Sequence, residues 1–209
     1  MSIPTRDQCL ALMEHVGMPA HIQKHSIMVA EVAVYLGCLL NRNSIRLNLP
    51  LVEASALLHD LGKNESLKTG ARHEEVGARM LRERGYFLLA PIVQEHVSMD
   101  PERLRGPISE SLLVNYADKR VKHDEIVTIE ERFQDLGERY GKTEQHKAAI
   151  LDRLQLYLNL EQRIFGHLAV APDEVGSVSV SSETCFRIGS EDYERQEIDS
   201  GTTGGRKIG

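Results

Sequence analysis

Residues 51–58 carry apolar side chains at nearly every position, and an imidazole and a carboxylate follow them directly. Pro50 suits the first turn of a helix, and a helix that is apolar all round must lie in the middle of a domain. Burial of His59 and Asp60 at its end costs several kcal/mol unless another group compensates for it. A divalent metal ion compensates for both, because it binds a neutral imidazole together with a carboxylate. The segment therefore predicts a central helix that ends in two metal ligands.

Most of the remaining chain also predicts helices, because apolar residues recur at intervals of three and four. The predicted helices cover residues 5–15, 20–41, 50–61, 72–84, 88–97, 109–122, 130–140 and 143–168. Thr128 and Glu131 have the spacing of a capping box. No alternating pattern typical of a strand stands out before residue 174. We predict an all-α fold, with one compact helical bundle over residues 1–171.

Composition excludes several classes of protein. Hydrophobic residues make up 41% and charged residues 27% of 209, which is ordinary for a soluble globular chain and excludes a disordered protein or a membrane bundle. The net charge of −6 argues against broad binding to nucleic acids or anionic membranes. The three cysteines lie far apart and fit neither a disulfide framework nor a zinc ribbon. Because no signal peptide is recognised, we expect a cytoplasmic protein.

Residues 172–209 differ in composition from the rest of the chain. They contain eight acidic and four basic side chains and few large apolar ones, so they carry −4 of the net charge. This composition predicts a weakly ordered acidic tail, most simply one without a task of its own. A segment that binds a partner or inhibits the domain is the alternative.

Four further residues are candidate metal ligands. His25 continues the apolar stripe of the helix over residues 20–41, and Asp118 lies at the inner edge of the helix over residues 109–122. His73 and His96 stand near helix ends. Each has an ordinary alternative: a core histidine bonded to a carbonyl, an acid paired with a nearby base, or an exposed histidine. Together with His59 and Asp60 they offer four imidazoles and two carboxylates, enough for two ions as in two-metal phosphohydrolases.

A second His-Asp pair, His123 and Asp124, stands in the polar sequence Lys-His-Asp-Glu. It is interpreted as a solvated helix exit that needs no function.

The order of these residues resembles the HD-domain superfamily of metal-dependent phosphohydrolases. Residues 54–63, Ala-Ser-Ala-Leu-Leu-His-Asp-Leu-Gly-Lys, are similar to the HDIG signature of its small members, with Leu61 in place of the isoleucine. Residues 73–81 and 116–120 also look like this family, and the resemblance covers roughly residues 20–140. It implies an all-helical fold in which a first metal is bound by His25, His59, Asp60 and Asp118. It further implies that His73 and His96 bind a second metal, with Asp60 bridging the two.

The resemblance implies hydrolysis of a phosphoester or phosphoanhydride bond of a nucleotide-like substrate by metal-activated water. Asp60 would orient or deprotonate the water, and Lys63 would meet a phosphate oxygen, which makes these two the expected catalytic residues. A solvated lysine at a helix end is the alternative for Lys63. Weaker candidates for substrate binding are Arg79, Lys119 and Arg120. The chain lacks the paired acids of alarmone hydrolases after Asp60, and it lacks the Gly-Tyr-Pro motif of certain cyclic-dinucleotide phosphodiesterases after His96.

The expected cofactor is a divalent metal ion, one or two per chain, with Fe, Mn, Zn, Co and Mg all open. The expected partner is a small phosphorylated molecule, a nucleotide first of all, with no membrane and no broad nucleic-acid binding. A homodimer is compatible with the sequence. Two other interpretations stay open: a non-catalytic HD-like regulatory or binding module that acts through a partner, and a helical domain whose buried histidines are simply satisfied.

Overall fold

The computed structural model describes residues 2–43 and 45–176, so of the predicted acidic tail, residues 172–209, only the first five are described and residues 177–209 lie outside. The helices are α1 Arg6–His15, α2 Ala20–Arg42, α3 Leu49–Leu58, α4 Lys63–Thr69, α5 His73–Glu83, α6 Leu89–Glu95, α7 Pro101–Arg105, α8 Glu110–Lys119, α9 Ile129–Tyr140 and α10 Glu144–Phe165. Two short strands, β1 Val121–Lys122 and β2 Glu125–Ile126, and a 3-10 turn, Pro172–Gly176, complete the described part.

The all-α prediction is confirmed, and α3 is the central helix. Residues 52–58 are all buried, and α3 packs against α1, α2, α6 and α8. Helix α2 lies along α3 and α8 and buries one face of its 23 residues. The ends of α3 and α6 and the inner faces of α2 and α8 therefore meet inside the bundle.

The helix starts follow their capping residues. Thr5 caps α1 and Thr128 caps α9, each in a complete capping box, and Pro50 occupies the first turn of α3. Thr143 caps α10, whose inner face buries Tyr157. None of the described helices is long and apolar enough to cross a membrane.

Three elements differ from the predictions. Helices α4 and α7 are too short for a clear apolar period, and α4 buries none of its residues. The helix predicted to reach residue 122 ends at Lys119, because the chain turns back at His123 and pairs β1 with β2. His123 takes the left-handed conformation (φ 57°) that makes this tight turn. The expectation of no strand before residue 174 is thus wrong for a single two-residue pair.

Gly62 allows α5 to lie close to the turn that follows α3. A Cβ atom at this position would lie 2.1 Å from the carbonyl oxygen of His73 and 2.6 Å from the amide nitrogen of Gly77. Only a residue without a side chain fits between these backbone atoms. The close approach brings the first residue of α5 to the turn that contains Asp60.

We expect the substitution Gly62→Ala to destabilise the domain by roughly 1–3 kcal/mol or more, because backbone atoms must move to accept the methyl group. Chemical denaturation followed by circular dichroism measures the change in free energy of unfolding. Gly137→Ala is the matched control, since a Cβ atom in that α9 position meets nothing within 4 Å. The control should stabilise the protein by up to about 1 kcal/mol. Equal stability of both variants would contradict the role of Gly62.

Candidate metal centre

Six side chains that are far apart in sequence meet at the buried ends and faces of five helices. His25 comes from α2, His59 and Asp60 follow α3, and His96 follows α6. The other two are His73, the first residue of α5, and Asp118 in α8. The structure thus brings together all six residues that the sequence predicts as ligands. Five of them are buried, and His73 keeps 24% of its side chain exposed.

The Asp60 carboxylate lies between two sets of imidazoles. Its Oδ1 atom is 3.4 Å from the Nε2 atoms of both His73 and His96. Its Oδ2 atom is 3.2 Å from His59 Nε2 and 2.5 Å from the ammonium group of Lys63. Two groups of three residues could therefore each hold an ion, and they share Asp60: His25, His59 and Asp60 on one side, and Asp60, His73 and His96 on the other.

Backbone carbonyls fix three of the imidazole rings. His59 Nδ1 lies 2.7 Å from the Ala56 oxygen, and His96 Nδ1 lies 2.6 Å from the Val93 oxygen. His25 Nδ1 lies 2.8 Å from the oxygen of His123. A carbonyl oxygen only accepts, so each Nδ1 carries the proton and each neutral ring directs the Nε2 lone pair into the cluster. This is the tautomer that metal-binding histidines need.

The surroundings of His59, whose ring is completely buried, show whether a metal ion would fit the cluster. Its Nε2 atom makes no hydrogen bond with any described residue, although two carboxylates lie within 4 Å of it. Lone pairs that face carboxylate oxygens repel each other unless a positive charge, a proton or a metal ion, lies between them. The donor set of imidazole nitrogens and carboxylate oxygens without thiolates suits a divalent ion of the Fe, Mn, Co or Zn type.

Asp118 approaches the same cluster from α8. Its Oδ1 atom is 3.1 Å from His25 Nε2 and 3.7 Å from His59 Nε2, and its Oδ2 atom accepts a 2.5 Å hydrogen bond from Lys119. Burial alone would raise the pKa of Asp118, but the Lys119 ammonium and the neighbouring imidazoles hold it well below its ordinary value. The carboxylate is therefore ionised, as a metal ligand must be.

Burial and charge act in opposite directions on the other members. Burial would raise the pKa of Asp60, yet the neighbouring imidazoles of His59, His73 and His96 lower it well below its ordinary value. Burial also opposes a proton on His59, but the charges of Asp60 and Asp118 raise its pKa. Burial lowers the pKa of His96, which favours the neutral ring that binds a metal. The negative charge that raises the pKa of His59 would equally attract a cation.

His96 is held in place by α8. The amide of Asn115 donates to the His96 carbonyl at 2.9 Å, and the Lys119 ammonium donates to the same oxygen at 3.2 Å. The Tyr157 hydroxyl of α10 donates to the amide oxygen of Asn115. These contacts connect the last long helix to the position of an imidazole in the cluster.

The cluster opens onto a cavity of about 950 Å³ through His25, Lys63 and His73. Residues of α2, α4, α9 and the β1–β2 turn line the other walls. This volume is sufficient for a ligand of nucleotide size or larger.

The residues predicted to bind substrate are placed differently from one another. Lys63 lines the cavity. Arg79 lies outside it, is half exposed and pairs with Glu65 and Glu83. Lys119 is buried against Asp118, and Arg120 is buried with the Tyr116 hydroxyl, Glu161 and two carbonyls as its acceptors.

The sequence interpretation missed two features of the site. His123 was read as a solvated helix exit, but its carbonyl accepts from the metal-facing ring of His25, and its side chain lines the cavity. The cationic residues of α9, Arg132 and Arg139, also line the cavity. No local signal marks a backbone carbonyl as a hydrogen-bond partner.

Comparison with known proteins identifies a family for the middle of the chain. The model of the family described as "HD domain" matches residues 22–122, the part that contains all six clustered residues. No solved structure matches the chain.

Three relatives have moderate similarity to the chain. A tRNA (cytidine(56)-2'-O)-methyltransferase of Thermoplasma volcanium is 26% identical over 170 residues, or 71% of this chain and 48% of that protein. The enzyme of the same name from Picrophilus torridus is 27% identical over 161 residues, or 71% of this chain and 44% of that protein. An uncharacterized protein of Methanocaldococcus jannaschii is 27% identical over 135 residues, or 58% of this chain and 79% of that protein. The chain spans about half the length of the two methyltransferases.

We expect Mn²⁺ or Co²⁺ to raise the melting temperature of the metal-free protein, because the ion binds the folded cluster and not the unfolded chain. At a hundredfold excess over Kd the gain is about 2.7 kcal/mol, or roughly 5–10 °C for a chain of this length. Thermal unfolding after EDTA treatment, with and without the ion, measures the shift. His59→Ala should lose it relative to its own metal-free melting temperature. The exposed histidine variant His146→Ala should keep it, and an equal shift in both variants would contradict the site.

Proposed function

Residues 22–122 belong to the HD domain family, and we propose that the chain is a metal-dependent phosphohydrolase that cleaves a phosphoester or phosphoanhydride bond of a nucleotide-like substrate. One observation carries the proposal. Asp60 lies between two sets of imidazole Nε2 atoms, and the cluster opens onto a cavity that presents cationic side chains. Membership of the HD domain family places residues 22–122 in the superfamily of metal-dependent phosphohydrolases. The substrate class and the roles of single residues are our proposals.

In this proposal His25, His59, Asp60 and Asp118 hold one divalent ion, and Asp60, His73 and His96 hold a second. A divalent ion there supplies Lewis acidity toward water and toward the phosphoryl oxygens. Asp60, whose two oxygens face the two sets of imidazoles, would orient the attacking water, and the proton that the water loses would end on the leaving oxygen. The carbonyls of Ala56, Val93 and His123 keep the rings fixed during the reaction, so little reorganisation is needed.

Lys63 is proposed to contact the phosphate. Its ammonium group reaches both Asp60 and the cavity, and its side chain is 36% exposed. A compact cation at the mouth of the cluster would bind a phosphoryl oxygen and stabilise the charge that develops on it. Arg79 and Arg120 have no such access, and Lys119 is proposed to act on Asp118 and His96 instead of on substrate.

A nucleotide is the proposed substrate class for two reasons. The cavity volume suits a nucleotide, and its lining is rich in cations. The two methyltransferase relatives act, by name, on a nucleotide of tRNA. Those proteins are about twice as long as the matched part, so their activity is not transferred to this chain.

The second candidate function is a binding module without catalysis. It is favoured by the same two relatives, in which the matched segment makes up 48% and 44% of a longer protein. An accessory role of that segment would fit such an arrangement. A complete ligand set at the cluster favours the enzyme, because a scaffold has no need to keep six converging ligands.

We expect Asp60→Asn to reduce hydrolysis of nucleoside mono- and diphosphates by roughly a thousandfold, because the variant loses the anionic ligand that both groups of residues share. Phosphate release in the presence of Mn²⁺ or Co²⁺ measures the rate, and elemental analysis measures bound metal. Far-ultraviolet circular dichroism should stay unchanged. Metal binding by the wild type without release of phosphate from any nucleotide would favour the binding module.

Lys63→Met should lower kcat/KM by roughly 10–100-fold, the value of one hydrogen bond to a charged group, while metal content is retained. Lys63→Arg should recover part of the loss. Lys68→Met, on the same helix but away from the cavity lining, is the matched control and should match the wild type. A wild-type rate for Lys63→Met would refute the contact with phosphate.

A further inference from the structure

Helix α9, which follows the six clustered residues in the sequence, contributes a second cationic region to the cavity lining. Arg132 and Arg139 both line the cavity, and we call this pair the cationic wall. Neither residue belongs to the segment that the family model matches, which ends at residue 122. The wall therefore calls for an explanation separate from the metal cluster.

Asp135 organises the wall but does not neutralise it. One carboxylate oxygen lies 3.0 Å from Arg139 Nε and 3.5 Å from Lys122 Nζ, and the other lies 3.1 Å from Arg132 Nη1. Three cations thus share one buried carboxylate. Only the Arg132 side chain is largely buried, whereas Lys122 and Arg139 keep 37% and 45% of their side chains exposed and so stay accessible to an anion.

The guanidinium groups keep donors for such an anion. Arg132 donates from Nη1 to Asp135, and its Nε is buried without an acceptor among the described residues, so a ligand in the cavity would meet the end of its guanidinium and not Nε. Arg139 uses Nε for Asp135 and Nη2 for His123 Nε2, at 3.2 Å. A guanidinium carries five N–H donors in a planar fork, so Arg139 has further donors beyond these two contacts. Such forks match the oxygens of a phosphate group.

The charge of the cavity lining contrasts with that of the chain. Lys24, Lys63, Arg132 and Arg139 line it, and Asp124 is the single carboxylate among the described lining residues. The whole chain nevertheless carries a net charge of −6. Local positive charge on an acidic protein fits a small anion held inside the cavity better than a long polyanion bound across the surface.

We propose that the cationic wall binds a second phosphate group of the substrate, while the metal cluster holds the phosphate that is cleaved. This inference rests on the proposed function and narrows it to substrates with two phosphates, either joined to each other or attached at two ends of a nucleoside. Arg132 and Arg139 are then specificity-determining residues. A cavity of about 950 Å³ leaves room for both groups.

The first experiment measures how strongly the cationic wall binds a diphosphate when no metal ion is present. Isothermal titration of the full chain with adenosine 5'-diphosphate in EDTA excludes turnover and metal-assisted binding. We expect Arg139→Gln and Arg132→Gln each to weaken binding by about tenfold, because each removes charge-assisted hydrogen bonds. Arg105→Gln is the matched control, since this exposed arginine pairs with Glu102 and lies outside the cavity lining. Absence of wild-type binding, or wild-type affinity in Arg139→Gln, would overturn the proposal.

The second experiment adds the divalent ion and compares adenosine 5'-monophosphate, adenosine 5'-diphosphate and adenosine 3',5'-bisphosphate as substrates. We expect kcat/KM to be about tenfold higher for one of the two-phosphate substrates, and Arg139→Gln to lower kcat/KM about tenfold more for that substrate than for the monophosphate. The preferred substrate distinguishes joined from separated phosphates. Equal losses on all three substrates would overturn the wall as a specificity site. Binding that depends on Arg139 without hydrolysis of any substrate would leave the wall standing and refute the hydrolase.

Discussion

A carboxylate that is 1% exposed and faces imidazole lone pairs on both sides requires a positive charge beside it, and the arrangement around Asp60 meets this requirement. The turn after α3 carries Asp60 into the bundle, and Gly62 lets α5 approach closely enough for His73 to reach it. α8 presents Asp118 and fixes His96 through Asn115. The bundle is thus organised around one buried charge, and its long helices serve to hold the ligands at fixed distances.

The site divides into parts with different origins in the chain. The metal cluster lies wholly within residues 22–122, where the family model matches. The wall that we propose as a specificity element lies in α9, beyond that segment, and α10 contributes the hydrogen bond from Tyr157 to Asn115 that helps to hold His96. In our proposal, residues 22–122 would supply the reacting centre and α9 would contribute to the choice of substrate. Members of one family that share a chemistry but act on different substrates are expected to share their site residues and to differ in the elements around them.

Much of the fold and the ligand set could be predicted because both depend on local patterns. Residues 51–58 are apolar at nearly every position, so the helix had to be buried, and the His59-Asp60 pair had to follow it inside. The sequence could not reveal that the His123 carbonyl would meet His25, because that contact depends on a left-handed turn and on tertiary packing. The sequence ranked Lys63 first but could not show that Lys119 and Arg120 do not line the cavity. The direction of a helical side chain depends on how the helix is rotated in the bundle. Short helices such as α4, without buried residues, give no period to detect.

The two lysines beside the cluster bear on the order in which the protein is assembled. Lys63 and Lys119 each place an ammonium group 2.5 Å from a carboxylate oxygen of the cluster, one on Asp60 and one on Asp118. Each acidic ligand thus already has a counter-charge supplied by the chain. Small zinc domains differ, since their ligands lack such internal partners and the polypeptide stays unfolded until the ion arrives. An arrangement with its own cations is suited to a protein that leaves the ribosome, folds, and acquires its metal afterwards from whatever pool the cell offers.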